Sequence, residues 1–148
     1  MKRLVLTLVL IFSFAPAHGQ SVTAVRVYGA SYHINRAVDF NETNPGLELE
    51  LNGAWKVGGY ENSYSNTLGN PTRLSVYASR HASYSPLSFI EFGLSYGLIF
   101  GYGNFIGRNI YTPLPFASPS MSVKMGQIQV NANVVGPAFG FSLTYNLQ

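Results

Sequence analysis

The sequence predicts an all-β protein, an eight-stranded antiparallel transmembrane β-barrel of the outer-membrane type. Three observations carry that expectation. The chain opens on an export signal. The remainder alternates apolar and polar residues over lengths that suit tilted membrane strands. Its composition is poor in charge and rich in aromatic residues, with no further run long enough for a membrane helix.

Lys2 and Arg3 form a positive n-region, and Leu4 to Phe14 an apolar core of secretory-signal length. Ala15-Pro16-Ala17-His18-Gly19 supplies the small residues a signal peptidase needs, and cleavage is expected after Gly19. The alternative is an uncleaved N-terminal anchor, for which the run is short. Residues 1–19 are thus read as a cleavable signal peptide and 20–148 as one barrel domain.

Without its leader the chain is nearly neutral. Nine Lys and Arg lose Lys2 and Arg3, leaving seven against six acids, so the net charge falls from +3 to +1. That balance removes any nucleic-acid footprint. Cysteine is absent, which excludes disulfides and thiolate chemistry. Charged residues make up only 10% of the chain, against 10 Tyr and 10 Phe. So few charges could hardly cover the outside of a water-soluble barrel of the lipocalin type, the competing architecture.

Eight strands are read near 22–32, 46–51, 56–63, 73–81, 88–100, 111–124, 127–135 and 138–147. The clearest alternation places Ile90, Phe92, Leu94, Tyr96, Leu98 and Phe100 opposite Glu91, Gly93, Ser95 and Gly97. Phe139, Phe141, Leu143, Tyr145 and Leu147 repeat it opposite Gly140, Ser142, Thr144 and Asn146. A helical period would mix these faces. Even parity puts both termini on the periplasmic side, with short turns there at 52–55, 81–87 and 125–126. The longer connections, 33–45, 64–72 and 101–110, would be extracellular.

Turning the apolar stripe outward sends Arg26, Glu48, Glu50, Glu91 and Lys124 inward. Buried charges must be paired, so they are expected to form a polar cluster on the barrel floor. Towards the extracellular half, Gly93, Ser95, Gly97, Gly140 and Ser142 are small. They would either leave a cavity above that floor or permit tight strand coiling.

His33 ends the first strand at the extracellular rim, and Glu61-Asn62-Ser63 end the third. Two strands apart, these ends lie about 10 Å from each other by strand spacing. Histidine, serine and a carboxylate form the constellation for acyl transfer, in which the acid orients and stabilises the imidazolium. Polar rim residues are also ordinary solvated loop positions.

Ser31-Tyr32-His33 with Asp39-Phe40-Asn41-Glu42, then Glu61-Asn62-Ser63-Tyr64, then Tyr111-Thr112-Pro113-Leu114-Pro115 follow one another across most of the chain. In that order and spacing the sequence resembles the PagP family, the outer-membrane lipid A palmitoyltransferases and their small PagP-like relatives. The resemblance implies a catalytic role for His33 and Ser63, with Asn62 at the position of the family's aspartate. Asparagine can orient by hydrogen bonding but carries no charge, which leaves Glu61 or Asp39 as the possible acid substitute. The family's N-terminal amphipathic helix has no counterpart, because Gln20 leads almost directly into the first strand.

The resemblance further implies an acyl-chain pocket, compatible with Gly93, Ser95, Gly97, Gly140 and Ser142. Pro113, Pro115, Pro119 and Pro137 lack backbone donors, so strand pairing near them could be interrupted and admit lipid laterally, or simply bend. The expected activity is transfer of a fatty acyl chain from phospholipid to lipid A, by a monomer in the outer membrane and without metal or soluble cofactor. The alternative is a noncatalytic barrel for lipid binding, envelope stability or surface interaction. A pore is disfavoured because eight strands enclose little lumen.

Overall fold

The computed structural model describes residues 21–34, 42–61, 74–102 and 112–147. The signal peptide expected over residues 1–19 lies outside them. Period-two alternation here yields a closed antiparallel barrel in which each strand pairs with its sequence neighbours and β1 closes on β8. The strands are β1 (Val22–His33), β2 (Thr43–Leu51), β3 (Trp55–Glu61) and β4 (Leu74–Leu87), followed by β5 (Ile90–Phe100), β6 (Leu114–Met125), β7 (Ile128–Val135) and β8 (Ala138–Asn146). A short 3-10 turn, Asn52–Ala54, joins β2 to β3. Gly126 and Gly136 adopt positive φ in the turns after β6 and β7, where a side chain would be strained.

The eight strands fall where the alternation put them, with one substantial correction. The segment 81–87 was expected as a turn because it is rich in serine and contains Pro86. Instead β4 continues to Leu87, and His81, Ala82, Ser83 and Tyr84 pair with Ser95, Leu94, Gly93 and Phe92. A register shift between Tyr84 and Leu87 absorbs the proline, and the turn is confined to Ser88 and Phe89. The long alternating β5 supplies a ladder that outweighs the weak strand propensity of its partner.

The distribution of polarity is inside out. Val27, Leu47, Leu94, Leu98, Val130, Phe141 and Leu143 are all exposed on the outer wall. The buried set is mostly polar and includes Arg26, Glu48, Lys56, Ser122, Asn131 and Thr144. This is opposite to a lipocalin-type arrangement, in which the apolar face lines the lumen. On the outer wall Arg80 lies over the Trp55 ring, 5.1 Å from its centroid, beside the turns.

The inward charges gather as the parity argument requires. Glu48 meets Arg26 at 3.2 Å and Lys56 at 3.8 Å, and Lys56 reaches Glu50 at 3.1 Å. The second Glu48 oxygen accepts from Tyr28 at 2.9 Å and from Tyr77 at 2.5 Å. Arg26 Nε donates to Thr144 at 2.9 Å, and Asn131, bonded to the same hydroxyl at 3.0 Å, carries the network to Ser122. Glu91 and Lys124 form a separate pair at 2.7 Å. The expected single cluster is therefore two. Lys56, fully buried, joins the first as a member the sequence reading did not name.

Removing one member of such a network strands the rest without compensation. Glu48→Ala is expected to lower the unfolding free energy by about 3–5 kcal/mol in equilibrium urea titrations of the refolded barrel. Glu50→Ala, whose side chain is partly exposed, should cost much less in the same titration.

Candidate functional site

The rim that carries His33 is built by an irregularity in β1. Ala24 and Arg26 are buried, and the Tyr28 hydroxyl reaches the Glu48 carboxylate, so strict alternation would turn residues 30 and 32 inward and His33 outward. The ladders shift register between Tyr28 and Ala30 on both sides: against β8 Gly29 is the extra residue, whereas against β2 the extra residue lies on β2, between Gly46 and Thr43. Beyond this bulge Ala30 and Tyr32 pair with the outward Phe141 and Phe139, whereas Ser31 and His33 pair with Gly140 and the buried Ala138. Gly29 therefore reverses the parity of β1, and His33 faces the lumen. A bulge re-aims side chains in just this way.

Besides Ala138, polar groups border His33. Its backbone N–H donates to Glu42 Oε1 at 3.4 Å. The Ser31 N–H donates to the Glu42 carbonyl at 2.8 Å, and Asn44 Nδ2 donates to Ser31 Oγ at 2.6 Å. Glu42, part of the Asp39-Phe40-Asn41-Glu42 stretch, thus brings a carboxylate to the backbone of the histidine. The antiparallel return of β1 into β2 carries it there. Glu61 ends β3 paired with the outward Leu74, so it lies on the outer face. Asn62, Ser63 and Asp39 lie outside the described residues.

The five small residues divide between two places. Gly140 and Ser142 pair with Ser31 and Tyr28, next to the strand of His33, and Ser142 is buried. Gly93 lies in the half of β5 nearer the Ser88–Phe89 turn, a correction to its expected position in the outer half. A Cβ there would collide with the His81 ring, and Ser95 Oγ contacts His81 Nδ1 at 3.0 Å. At Gly97 a Cβ would meet the Ala78 carbonyl and the Ser79 backbone, so this glycine serves close strand approach. The inward direction of His81, expected in a turn, follows from the extension of β4.

The prolines mark a break in the wall. The β6–β7 ladder runs from Met125↔Ile128 only to Ser120↔Asn133, although β6 continues to Leu114. Lys124 N–H donates towards β5, to the Phe89 carbonyl at 2.8 Å. Even-numbered residues of β6 therefore bond β5, and odd-numbered ones face β7. Pro119 is the next odd position beyond the last pair, and Pro115 lies on the same edge. Neither has an N–H to offer, whereas the β5–β6 ladder continues past both. Pro137 lies in the turn after β7 and accepts from Ile34 N–H at 3.1 Å. Pro113 precedes β6.

Fold and rim together define an inside-out barrel with a paired polar interior and a histidine turned into its loop end. No protein-family model matches the chain, and no match was found among curated proteins. Among the described residues no three His, Cys, Asp or Glu side chains group as a metal site, and no helix is long and apolar enough to cross a membrane.

The inward aim of His33 depends on a single inserted residue. A nitroxide attached through His33→Cys, in a chain with no other cysteine, should be accessible to a water-soluble nickel chelate and shielded from dissolved oxygen in micelles. Deleting Gly29 in that background should reverse both accessibilities.

Proposed function

We propose that this protein is a monomeric barrel of the Gram-negative outer membrane, exported by its cleaved leader, and that its loop rim transfers a fatty acyl chain from phospholipid to lipid A. The membrane reading rests on the apolar outer wall and the polar, paired lumen. The start of β1, the end of β8 and the turns joining β2 to β3, β4 to β5 and β6 to β7 lie at one end, and the turn joining β7 to β8 lies at the other. The chemical reading is carried by one observation: the Gly29 bulge turns His33 into the lumen beside Glu42.

In this scheme the imidazole of His33 takes the proton from a lipid A hydroxyl as its oxygen attacks the phospholipid ester carbonyl. The new ester bond forms, the bond between the acyl carbon and the glycerol oxygen breaks, and the lysophospholipid leaves with the proton on that oxygen. Ser63 positions the reacting hydroxyl and Asn62 orients it. Glu42 supplies the negative charge that asparagine lacks. The acyl chain enters where β6 has lost its β7 partner and lies against Gly140 and Ser142. No metal or soluble cofactor takes part.

A second reading has its own support. The Glu48 network crosses the lumen, and the His81 ring occupies the space beside Gly93. A filled lumen suits a noncatalytic barrel that contributes lipid binding, envelope stability or surface interaction.

Two measurements bear on these proposals. Leu143→Arg, on the outer stripe, should destabilise the barrel in bilayers by about 2–4 kcal/mol, the expected cost near the midplane; an unchanged value would remove the protein from the membrane. Expression in cells lacking lipid A palmitoylation should add one acyl chain to lipid A by mass spectrometry, and His33→Ala should abolish it. Verified outer-membrane insertion with no added chain would leave the noncatalytic reading.

A further inference from the structure

Away from the His33 rim, the lumen nearer the turns sets a serine, a histidine and a glutamate in line, the serine within hydrogen-bonding distance of the imidazole and the carboxylate in ion-pair range of it. Glu91, Gly93 and Ser95 occupy successive inward positions of β5. His81 of β4 pairs directly with Ser95 in the ladder. Its ring spans the strand over Gly93, where a Cβ would collide with Cε1 and come within 2.9 Å of Nε2. Nδ1 lies 3.0 Å from Ser95 Oγ, and Nε2 lies 3.7 Å from Glu91 Oε1. Only glycine at position 93 lets the imidazole lie flat between hydroxyl and carboxylate.

The two ring nitrogens thus face different partners. A neutral imidazole with its proton on Nε2, towards the carboxylate, presents the Nδ1 lone pair to the serine hydroxyl. That division of roles characterises a nucleophile, its base and an orienting acid. The His81 side chain is 8% exposed and Glu91 14%, whereas Lys124, which holds the other Glu91 oxygen at 2.7 Å, is 34% exposed. The cluster is shielded on the strand side and reaches solvent through Lys124. Ser120 Oγ also borders this place, 2.7 Å from where a Cβ at position 93 would stand, but Ser95 is the serine at hydrogen-bonding distance from the ring; Ser122 Oγ donates to Asn131 and Ser79 is fully buried.

We propose that Ser95, His81 and Glu91 form an ester-cleaving site at the turn end of the barrel, separate from the His33 rim. Ser95 Oγ attacks the carbonyl carbon of a carboxylic ester while its proton passes to His81 Nδ1. The carbon–oxygen bond to the alcohol breaks, and the alcohol leaves with that proton. Water then attacks the acyl-serine, gives its proton to His81, and releases the carboxylic acid as Ser95 recovers its hydrogen. Glu91 is a positioning residue: it holds the Nε2 side of the ring and opposes the charge that develops there. Lys124 competes for the same carboxylate and damps this effect.

The test is covalent labelling of the folded barrel in micelles with a fluorophosphonate, with the modified residue located by peptide mass spectrometry. Heat-modifiable migration on gels confirms that each variant is folded. Label on Ser95 is expected, with loss of at least a hundredfold in rate for Ser95→Ala and His81→Gln. Ser79→Ala, which removes a lumen serine outside the cluster, should leave the rate unchanged. Glu91→Gln should slow labelling about tenfold, whereas Lys124→Met should speed it severalfold, a gain that a purely structural ion pair would not give. No label on Ser95 in the folded wild-type chain, or label that survives His81→Gln at full rate, would overturn the site.

Discussion

A single carboxylate organises the interior. Glu48 receives Arg26 from β1, Lys56 from β3, and the hydroxyls of Tyr28 and Tyr77 from β1 and β4. Strands that are not neighbours in the ladder are thereby tied across the lumen. An eight-stranded barrel is too narrow to hold bulk water and too polar within to pack by dispersion alone. Its inward groups must satisfy one another, because an unpaired charge there would cost several kcal/mol. Around this hub the tyrosines extend the fill towards the loops. Tyr28, Tyr60, Tyr77 and Phe116 stand in tilted or edge contacts 5.8–6.2 Å apart, and Tyr60 meets the Tyr102 hydroxyl at 2.7 Å.

Everything that depends on strict alternation was legible in the chain. Period two separates Phe92, Leu94, Tyr96 and Leu98 from Glu91, Gly93, Ser95 and Gly97 without ambiguity, and those faces are the ones observed. The inward direction of Arg26, Glu48, Glu50, Glu91 and Lys124 follows from the same rule. Lys56 obeys it too, between Trp55 and Val57, but β3 continues as Gly58-Gly59 and offers too short a pattern to fix a face. His81 was obscured for a different reason. Serine and proline around it carry turn propensity, and only the length of the partner strand overrides them.

The rim was harder to read because its geometry rests on register. A bulge adds one residue to one strand and leaves little sequence signature beyond a glycine. Gly29 is one of 15 glycines in the chain and has open space where a Cβ would stand, so neither composition nor crowding marks it. The identity of His33 was visible, whereas its direction was not. The pairing of Glu42 with the histidine likewise depends on how β2 returns along β1. The prolines were more informative. Their missing donors were evident from the sequence, but which strand would lose its partner required the parity of β6.

That parity has a consequence for how the wall can yield. Pro115 and Pro119 lie on the edge of β6 away from β5, Pro119 opposite the end of β7 and Pro115 beyond it, and leave the β5 side of β6 intact, so the barrel is not weakened evenly around its circumference. Like a seam left unstitched at one end, the β6–β7 boundary concentrates compliance in a single direction. Lateral pressure, crowding or the strain of insertion would be relieved there first, while the Glu48 hub, tied to β1, β3 and β4, holds its shape on the other side of the cylinder.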